Sequence, residues 1–382
     1  MPATSPVSST LLLNRAAPDV GVLVCEREDA VPFAEDAFIR RLCLAANRIG
    51  MALVAFDPRT WNPRGNSVSG WSWNDRERRW TAREYGVPRV VYDRAWPKTD
   101  AEKRRFRAAL ERVREANALV FLNGRLPDKG KVGELLARDP GFADLVPPTA
   151  PYEGTPSLLA WLRGHGDAAF LKPAAGCQGK RTISCRRLGD GTFALAGRTG
   201  VNRPFSRAVR LESDAMRRLH RWIGSRAYIM QPLLSLHTAD GEPFDIRVLA
   251  QKDERRRWTV TGTAARVGSL GTVTANLHGG GRARTVAETL EPLFGEARTR
   301  ELERQIHDAS LRLAEWLEGT FGRFAEIGLD FGVDRSGKLW FLEANSKPGR
   351  AAMRSAGANA SRRAVERPLS YAGTILFRHL GG

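Results

Sequence analysis

Asp330, Glu343 and Asn345 are three oxygen-bearing side chains at a spacing that could hold a divalent cation, within GLDFGVDRSGKLWFLEANSKPGR, residues 328 to 350. The stretch reads as two short strands around the turn composition Asp334-Arg335-Ser336-Gly337, with an apolar run resuming at Leu339 to Leu342. Symmetric closure about that turn sets Asp330 opposite Phe341 and Glu343 opposite Gly328. Strand alternation then puts Phe341, Glu343 and Asn345 on one face, with Asp330 as the diagonal neighbour of Glu343. On this reading Gly328 clears space in front of the donors. So few protein oxygens is the pattern of Mg²⁺ held jointly by carboxylates and a polyphosphate. The same residues also suit a plain surface hairpin with solvated acids. A slip of one residue would carry Asp330 to the other face and dismantle the site.

Cationic and glycine-rich segments upstream could supply the polyphosphate half. In FLKPAAGCQGK, residues 170 to 180, Lys172 sits on an apolar strand just before a glycine turn. Gly176 and Gly179 allow close backbone approach to an anion, and Lys172 and Lys180 add charge. The spacing is G-x-x-G-K, with Arg181 where a Walker A loop has Ser or Thr, so this is not a Walker A loop. A structural hairpin turn would explain the glycines equally well, but a lysine on an apolar strand calls for an anionic partner. In FDIRV, Asp245 and Arg247 share one strand face, and Arg266 lies near the end of the next strand. Arginines there can hold a carboxylate or a transferring phosphoryl oxygen in two-pronged fashion, or form ion pairs with Asp245. Asn276, His278 and Gly279 to Gly281 make a polar loop that could close on a ligand; a lone loop histidine is more often solvated than catalytic. There is no G-x-S-x-G elbow and no Cys with an adjacent His. The surviving theme is phosphoryl transfer.

The elements that must position these residues fall in two textures. Apolar runs at 21–25, 51–56, 87–93 and 118–122 alternate with helical patterns at 38–49 and 103–115, which predicts a mostly parallel α/β domain. A Trp-rich stretch, 61–80, reads as an insertion or hairpin upon it. From Asp128 the pattern becomes α+β: helices at 130–138, 156–163 and 297–321, and long alternating strands at 244–251 and 258–267. The expected division is a disordered tail over 1–15, an N-terminal domain over 16–127 and a second domain over 128–382. The second domain divides into 150–233, carrying Lys172, and 234–382, carrying the acids. At 382 residues the chain can bury two or three cores.

Bulk composition removes several classes. No apolar run reaches membrane-span length, and the N-terminus lacks the basic segment and long apolar core of a secretory signal, so a cytoplasmic location is expected. Cys25, Cys43, Cys177 and Cys185 form no C-x-x-C pair, which argues against structural zinc or a disulfide framework. The formal charge is +18, yet 51 of the 60 basic residues are arginine, spread along the chain and mostly interleaved with acids. That pattern reads as a diffuse cationic surface rather than a nucleic-acid groove, and leaves room for an acidic substrate.

Taken in order, GVLVC, LNGRLPDKGKVGELLARD, FLKPAAGCQGK, YIMQPLL, PFDIRVLAQKD, WTVTGTAARVG, VTANLHGGG, GLDFGVD and FLEANSKPGR resemble the ATP-grasp superfamily, and within it the YheC/YheD-like group associated with spore coats. The resemblance implies an N-terminal parallel α/β domain followed by an ATP-grasp fold of two α+β subdomains. It implies that Lys129 and Lys172 contact ATP phosphates beneath a lid formed by Gly176 to Gly179, with Lys180 beside it. Gln231, Pro232 and Leu233 would form the adenine-binding hinge. Arg247 and Arg266 would sit near the γ-phosphate or acyl phosphate, facing Asn276, and Asp330, Glu343 and Asn345 would hold two Mg²⁺ ions. The implied activity is ligation of a carboxylate to an amine through an acyl phosphate, with both larger domains forming the acceptor site, in a cytoplasmic or spore-associated protein. A non-catalytic coat scaffold is the alternative. Relatives often carry a small residue after the second loop glycine; here Lys180-Arg181 stand there, where their bulk could hinder lid closure or their charge assist phosphate binding.

Overall fold

β-branched runs bounded by turn residues, alternating with amphipathic helices, build two units. The structure, a computed structural model, describes residues 17–29, 31–174, 179–275 and 280–377. One unit holds the chain up to Asn123 and from Pro368 onwards; the other is Gly124–Arg367.

The first unit is a six-stranded sheet ordered β4-β3-β2-β1-β5-β6. Its strands are β1 (Val20–Leu23), β2 (Leu53–Phe56), β3 (Ser67–Asn74), β4 (Arg79–Gly86), β5 (Val90–Asp93) and β6 (Val120–Phe121). The run β2-β1-β5-β6 is parallel, in keeping with the fully buried strands β1, β2 and β5, while β6 is half-buried; helices α1 (Asp36–Arg48) and α2 (Asp100–Ala116) are the crossovers. The Trp-rich stretch is the antiparallel hairpin β3–β4, joined to the sheet through β2. Its indoles are anchored by acids: Trp71 Nε1 donates to Glu26 at 2.8 Å, and Trp80 Nε1 donates to Asp36.

The second unit stacks helices on two sheets. After α3 (Lys129–Arg138) come β7 (Ala150–Pro151), α4 (Thr155–Gly164), β8 (Ala168–Pro173), β9 (Ile183–Arg187), β10 (Phe193–Arg198), β11 (Pro204–Val209), α5 (Glu212–Ile223) and β12 (Tyr228–Gln231). They form a sheet ordered β11-β10-β9-β8-β12-β7, whose apolar face packs on α4 and α5 through Leu158, Leu171, Phe193 and Leu219. Next come β13 (Phe244–Lys252), β14 (Trp258–Val267), β15 (Arg282–Arg284), α6 (Val286–Phe321), β16 (Glu326–Val333) and β17 (Leu339–Asn345), with sheet order β15-β14-β13-β16-β17. Helix α6 begins eleven residues earlier than its expected start because Thr285 and Glu288 make a reciprocal capping box, and it breaks at Gly295, whose φ is +74°. Its buried stripe, including Leu302, Ile306, Leu313 and Leu317, covers one face of this sheet. The helix α7 (Ala358–Phe377) ends the described chain. Among the described residues no helix is long and apolar enough to cross a membrane.

Four residues further along the same face of the acid-bearing strands lies a second buried polar row. Gln251 and Glu326 are cross-strand partners and both are fully buried. Gln251 donates to Glu326 at 2.9 Å, Arg350 donates to the same carboxylate, and Thr261, the extra residue of a bulge in β14, donates to Gln251 at 2.6 Å. Arg350 thereby pins the segment after β17 against the sheet. Removing one partner strands a buried charge, so Arg350→Met is expected to cost about 3–5 kcal/mol. Urea denaturation checks this; a loss under about 1 kcal/mol would show that the row is not held by charge.

Candidate functional site

The registers of four strands bring five charged side chains together. Asp245 on β13 lies directly opposite Arg266 on β14, and Arg247 lies directly opposite Asp330 on β16. Asp330 is in turn directly opposite Glu343 on β17. Because Asp245 and Arg247 are two apart on one strand they share a face, as the sequence implies. Their partners differ from the simplest pairing, since neither pairs with the other. Arg266 donates to Asp245 at 2.8 Å and to Asp330 at 2.9 Å, and Arg247 grips Asp330 with both Nε and Nη2, the latter at 2.9 Å.

The hairpin register expected from the turn is corrected by the structure. Phe331 opposes Phe341 with ring centroids 6.0 Å apart, whereas Asp330 opposes Glu343, so Leu342 is an extra residue on β17. The turn closes one residue out of the symmetric register, pairing Val333 with Leu339. Continued without a bulge, that register would place Glu343 opposite Leu329 on the apolar face. The bulge at Leu342 returns Glu343 and Asn345 to the face of Asp330, and it separates them from Phe341, which belongs to the core. It also frees the Leu342 carbonyl, which accepts from Lys172 Nζ at 3.4 Å. Gly328 opposes Asn345 and does not open space for a ligand: a Cβ there would lie 2.7 Å from Pro348 Cβ, so the missing side chain lets the segment after β17 fold back.

Burial and charge decide how these groups ionise. Burial pushes the Asp330 carboxyl up, but the two guanidiniums outweigh it and hold Asp330 well below the ordinary carboxylate range. Asp245, less enclosed than Asp330 and bridged to Arg266, is pushed up to about 6 by burial, with the charge of Asp330 adding to the rise. Burial disfavours the charged Arg266, yet Asp245 and Asp330 raise it above the ordinary arginine value. Lys172 falls to about 8, because burial and then the charge of Lys129 outweigh Glu343 and Asp330.

Side chains from the other sheet and from α3 close around the acids. Lys129, the first residue of α3 behind the Asp128 cap, donates to Glu343, and Asn345 Nδ2 donates to Glu343 at 3.1 Å. Lys129, Lys172, Gln231, Leu342 and Glu343 line one cleft with Pro127. Gln231 ends β12 and donates to Thr149 at 2.9 Å; Pro232 and Leu233 follow in the connecting segment and are half-buried. Gly179 has φ +61°, consistent with a tight turn, and Lys180 is exposed. Arg181 is turned away: its carbonyl accepts from Tyr228 at 2.8 Å and its guanidinium lies against Gly200. Gly176, Asn276 and His278 lie outside the described residues. The partners Thr149 and the Leu342 carbonyl were not anticipated from sequence, whereas the ion pairing of Asp245 in FDIRV was.

The donor set suits a hard cation. Asp330 and Glu343 are like charges directly opposite each other, an arrangement that is destabilising without positive charge beside it. In the structure Arg247, Arg266 and Lys129 supply that charge. Asn345 bonds Glu343 through its nitrogen, so the three side chains could offer oxygens alone to a cation, the donor type Mg²⁺ takes.

A family model described as YheC/D like ATP-grasp matches residues 118–375. The chain is 29% identical over 283 residues to the endospore coat-associated protein YheD of Bacillus subtilis (strain 168), covering 72% of this chain and 60% of YheD. It is 26% identical over 322 residues to the endospore coat-associated protein YheC of the same organism, covering 83% of this chain and 86% of YheC. Among solved structures it is similar to the D-cycloserine synthetase DcsG, with a TM-score of 0.54 at 17% identity over 94% of this chain and 99% of that one. It is also similar to the ATP-grasp ligase PsnB complexed with precursor peptide PsnA2 and AMPPNP, with a TM-score of 0.51 at 14% identity over 94% and 98%. At these identities the structural likeness establishes the fold.

The two acids differ in what they support. Asp330→Asn strips the charge from a buried carboxylate that two guanidiniums share, and an expected loss of about 3–5 kcal/mol follows. Glu343→Gln alters a partly exposed pair with Lys129 and is expected to change stability by less than about 1 kcal/mol. Urea denaturation of both variants without nucleotide makes the comparison; equal losses would contradict the assignment of the buried ion pairs.

Proposed function

The chain belongs to the YheC/D-like ATP-grasp family, and from that membership and its acid row we propose that it is an ATP- and Mg²⁺-dependent ligase joining a carboxylate to an amine with release of ADP. The observation that carries the reading is the direct opposition of buried Asp330 to Glu343, which lines a cleft that also presents Lys129 and Lys172. Two carboxylates forced together call for a cation, and lysines aimed at the same place call for an anion. Magnesium and a polyphosphate answer both demands at once.

On this reading Asp330, Glu343 and Asn345 hold two Mg²⁺ ions, which when bound neutralise charge on the transferring phosphoryl group. Lys129 and Lys172 take the ATP phosphates, and Gly176, Gly179 and Lys180 belong to the lid of a subdomain spanning 150–233. Gln231, Pro232 and Leu233 face the adenine. Arg247 and Arg266 stabilise charge on the phosphoryl or acyl phosphate oxygens, with Asn276 in the loop facing them. The carboxylate would take the γ-phosphoryl group of ATP with departure of ADP. The amine would then attack the acyl carbon, expelling inorganic phosphate and losing a proton, while exclusion of water protects the acyl phosphate. The substrates are a small-molecule or peptide carboxylate and an amine, and the cationic surface favours an acidic one. The names of YheD and YheC support a second reading, a coat scaffold with the same nucleotide site but no turnover.

Mg·ATP is expected to raise the melting temperature of the protein, and Glu343→Ala to abolish that rise. No stabilisation of the parent protein by nucleotide would sink both readings. ADP release stimulated by members of a carboxylate and amine panel separates ligase from scaffold; stabilisation without stimulated release favours the scaffold.

A second expectation concerns pH. Lys172 falls to about 8 in the free protein through burial and the neighbouring Lys129, and a bound polyphosphate would favour its protonated form. ATP binding then takes up a proton above pH 8, and affinity should weaken by up to about tenfold per pH unit there. Calorimetric titration at pH 7.5, 8.5 and 9.5 tests this. Lys172→Arg, which keeps its charge, should flatten the profile, and an equally steep profile in that variant would remove Lys172 as the cause.

A further inference from the structure

Among the described residues, strand β11 is the open edge of its sheet and pairs only with β10. The N–H of Arg198 points to β9, donating to the Thr182 carbonyl at 2.9 Å. Antiparallel alternation therefore makes Gly197–Phe205 and Leu195–Arg207 the hydrogen-bonded pairs between β10 and β11. The backbone N–H and C=O groups of Ser206 and Ala208 face the open side. Pro204, at the start of the strand, lacks an N–H on that same side, where a proline leaves the ladder to β10 intact.

Positive charge is concentrated around this edge. Residues 150–233 carry 14 basic and five acidic residues, nine of the chain's net +18 charges in under a quarter of its length. Arg203, Arg207 and Arg210 lie on or beside β11, Arg217, Arg218 and Arg221 lie on the neighbouring α5, and all six are exposed. Asp214 pairs with Arg217 at 3.3 Å, and Asp190 lies within electrostatic reach of Arg210, so few local acids offset them. Arginines on an edge can simply keep other strands away. Two large apolar side chains do not fit that role: Val201 and Leu211 bracket the strand and are 75% and 63% exposed. Apolar contacts at both ends, cationic side chains between and free backbone groups along the edge are together the recognition pattern of an added strand.

We propose that β11 docks an extended, acidic polypeptide segment, which adds to the sheet as a further strand with its carboxylates on these arginines. The free backbone edge favours a polypeptide over a nucleic acid, which has no peptide groups to pair with Ser206 and Ala208. The inference does not rest on the ligase reading, and its test needs no nucleotide.

The probe is a fluorescein-labelled twelve-residue peptide of alternating Glu and Val, read by fluorescence anisotropy at low salt with the full chain. Saturable binding is expected, weakened at least tenfold by joint substitution of Arg203→Glu, Arg207→Glu and Arg210→Glu. Ala208→Pro removes an N–H from the open side while leaving the ladder to β10, and should weaken binding at least tenfold. The same peptide N-methylated at alternate backbone nitrogens, measured on the unaltered protein, should bind at least tenfold more weakly without reliance on any variant's folding. Absence of saturable binding overturns the proposal. So does equal binding of the N-methylated peptide, or of single-stranded DNA of the same charge, since either would reduce the edge to a charged surface.

Discussion

Asp330 and Glu343 are held directly opposite each other on neighbouring strands, and the rest of the site follows from what that opposition requires. Directly opposed strand residues start from Cβ atoms about 5 Å apart, and two like charges at that separation repel by about 3 kcal/mol at an effective dielectric of about 20. Against a net domain stability of about 5–15 kcal/mol that is a serious cost. It is offset locally: Arg247 and Arg266 divide Asp330 between them, and Lys129 takes Glu343. Asp245 then serves as the counter-charge that keeps Arg266 in place, bonded to it at 2.8 Å. Each charge accounts for its neighbour, so the row behaves as one unit rather than as independent pairs.

A backbone irregularity makes the opposition possible. Side chains alternate with a period of two, so no regular strand could put Phe341 in the core and Glu343 beside Asp330 on the far face. The extra residue at Leu342 permits both. It simultaneously exposes a carbonyl to Lys172, which ties the sheet carrying the lysine to the sheet carrying the acids through the same deviation. The bulge in β14 acts in parallel: Thr261 reaches Gln251 and steadies the Glu326–Arg350 row further along the same face. Bulges here place side chains that a flat ladder would misdirect.

Much of this was legible in the sequence because it rests on local pattern. The alternating strands 244–251 and 258–267, the hairpin around Asp334 to Gly337 and the same-face placement of Asp245 and Arg247 all follow from period-two alternation and turn chemistry, and the ordered motifs marked the ATP-grasp fold. The bulge was not legible, since Leu342 is an ordinary strand residue with no glycine beside it to mark a break. Gly328 misled because a glycine records only that a side chain is missing, not whether ligand or Pro348 fills the gap. The hairpin β10–β11 escaped notice because FALAGR is rich in Ala and Gly and lacks the β-branched alternation that signals a strand. The contact between Lys129 and Glu343 spans 214 residues, beyond the reach of any periodicity.

On the proposed reading, charge balance explains how one site would serve both cation and anion. Asp245, Asp330 and Glu343 bring three potential negative charges; Arg247, Arg266, Lys129 and Lys172 bring four positive ones. Lys172 is the member whose protonation the surroundings resist, since burial and Lys129 both oppose its charge. On the proposed reading, divalent cations at Asp330 and Glu343 would take over the neutralisation that arginine and lysine now provide. Those side chains would then be free for phosphate oxygens without any carboxylate being left uncompensated. A polyphosphate arriving with its metal would thus exchange partners within an existing network rather than create new buried charge. Exchange of that kind avoids the desolvation cost that makes an isolated buried ion prohibitive, and it makes metal and nucleotide stronger ligands together than either is alone.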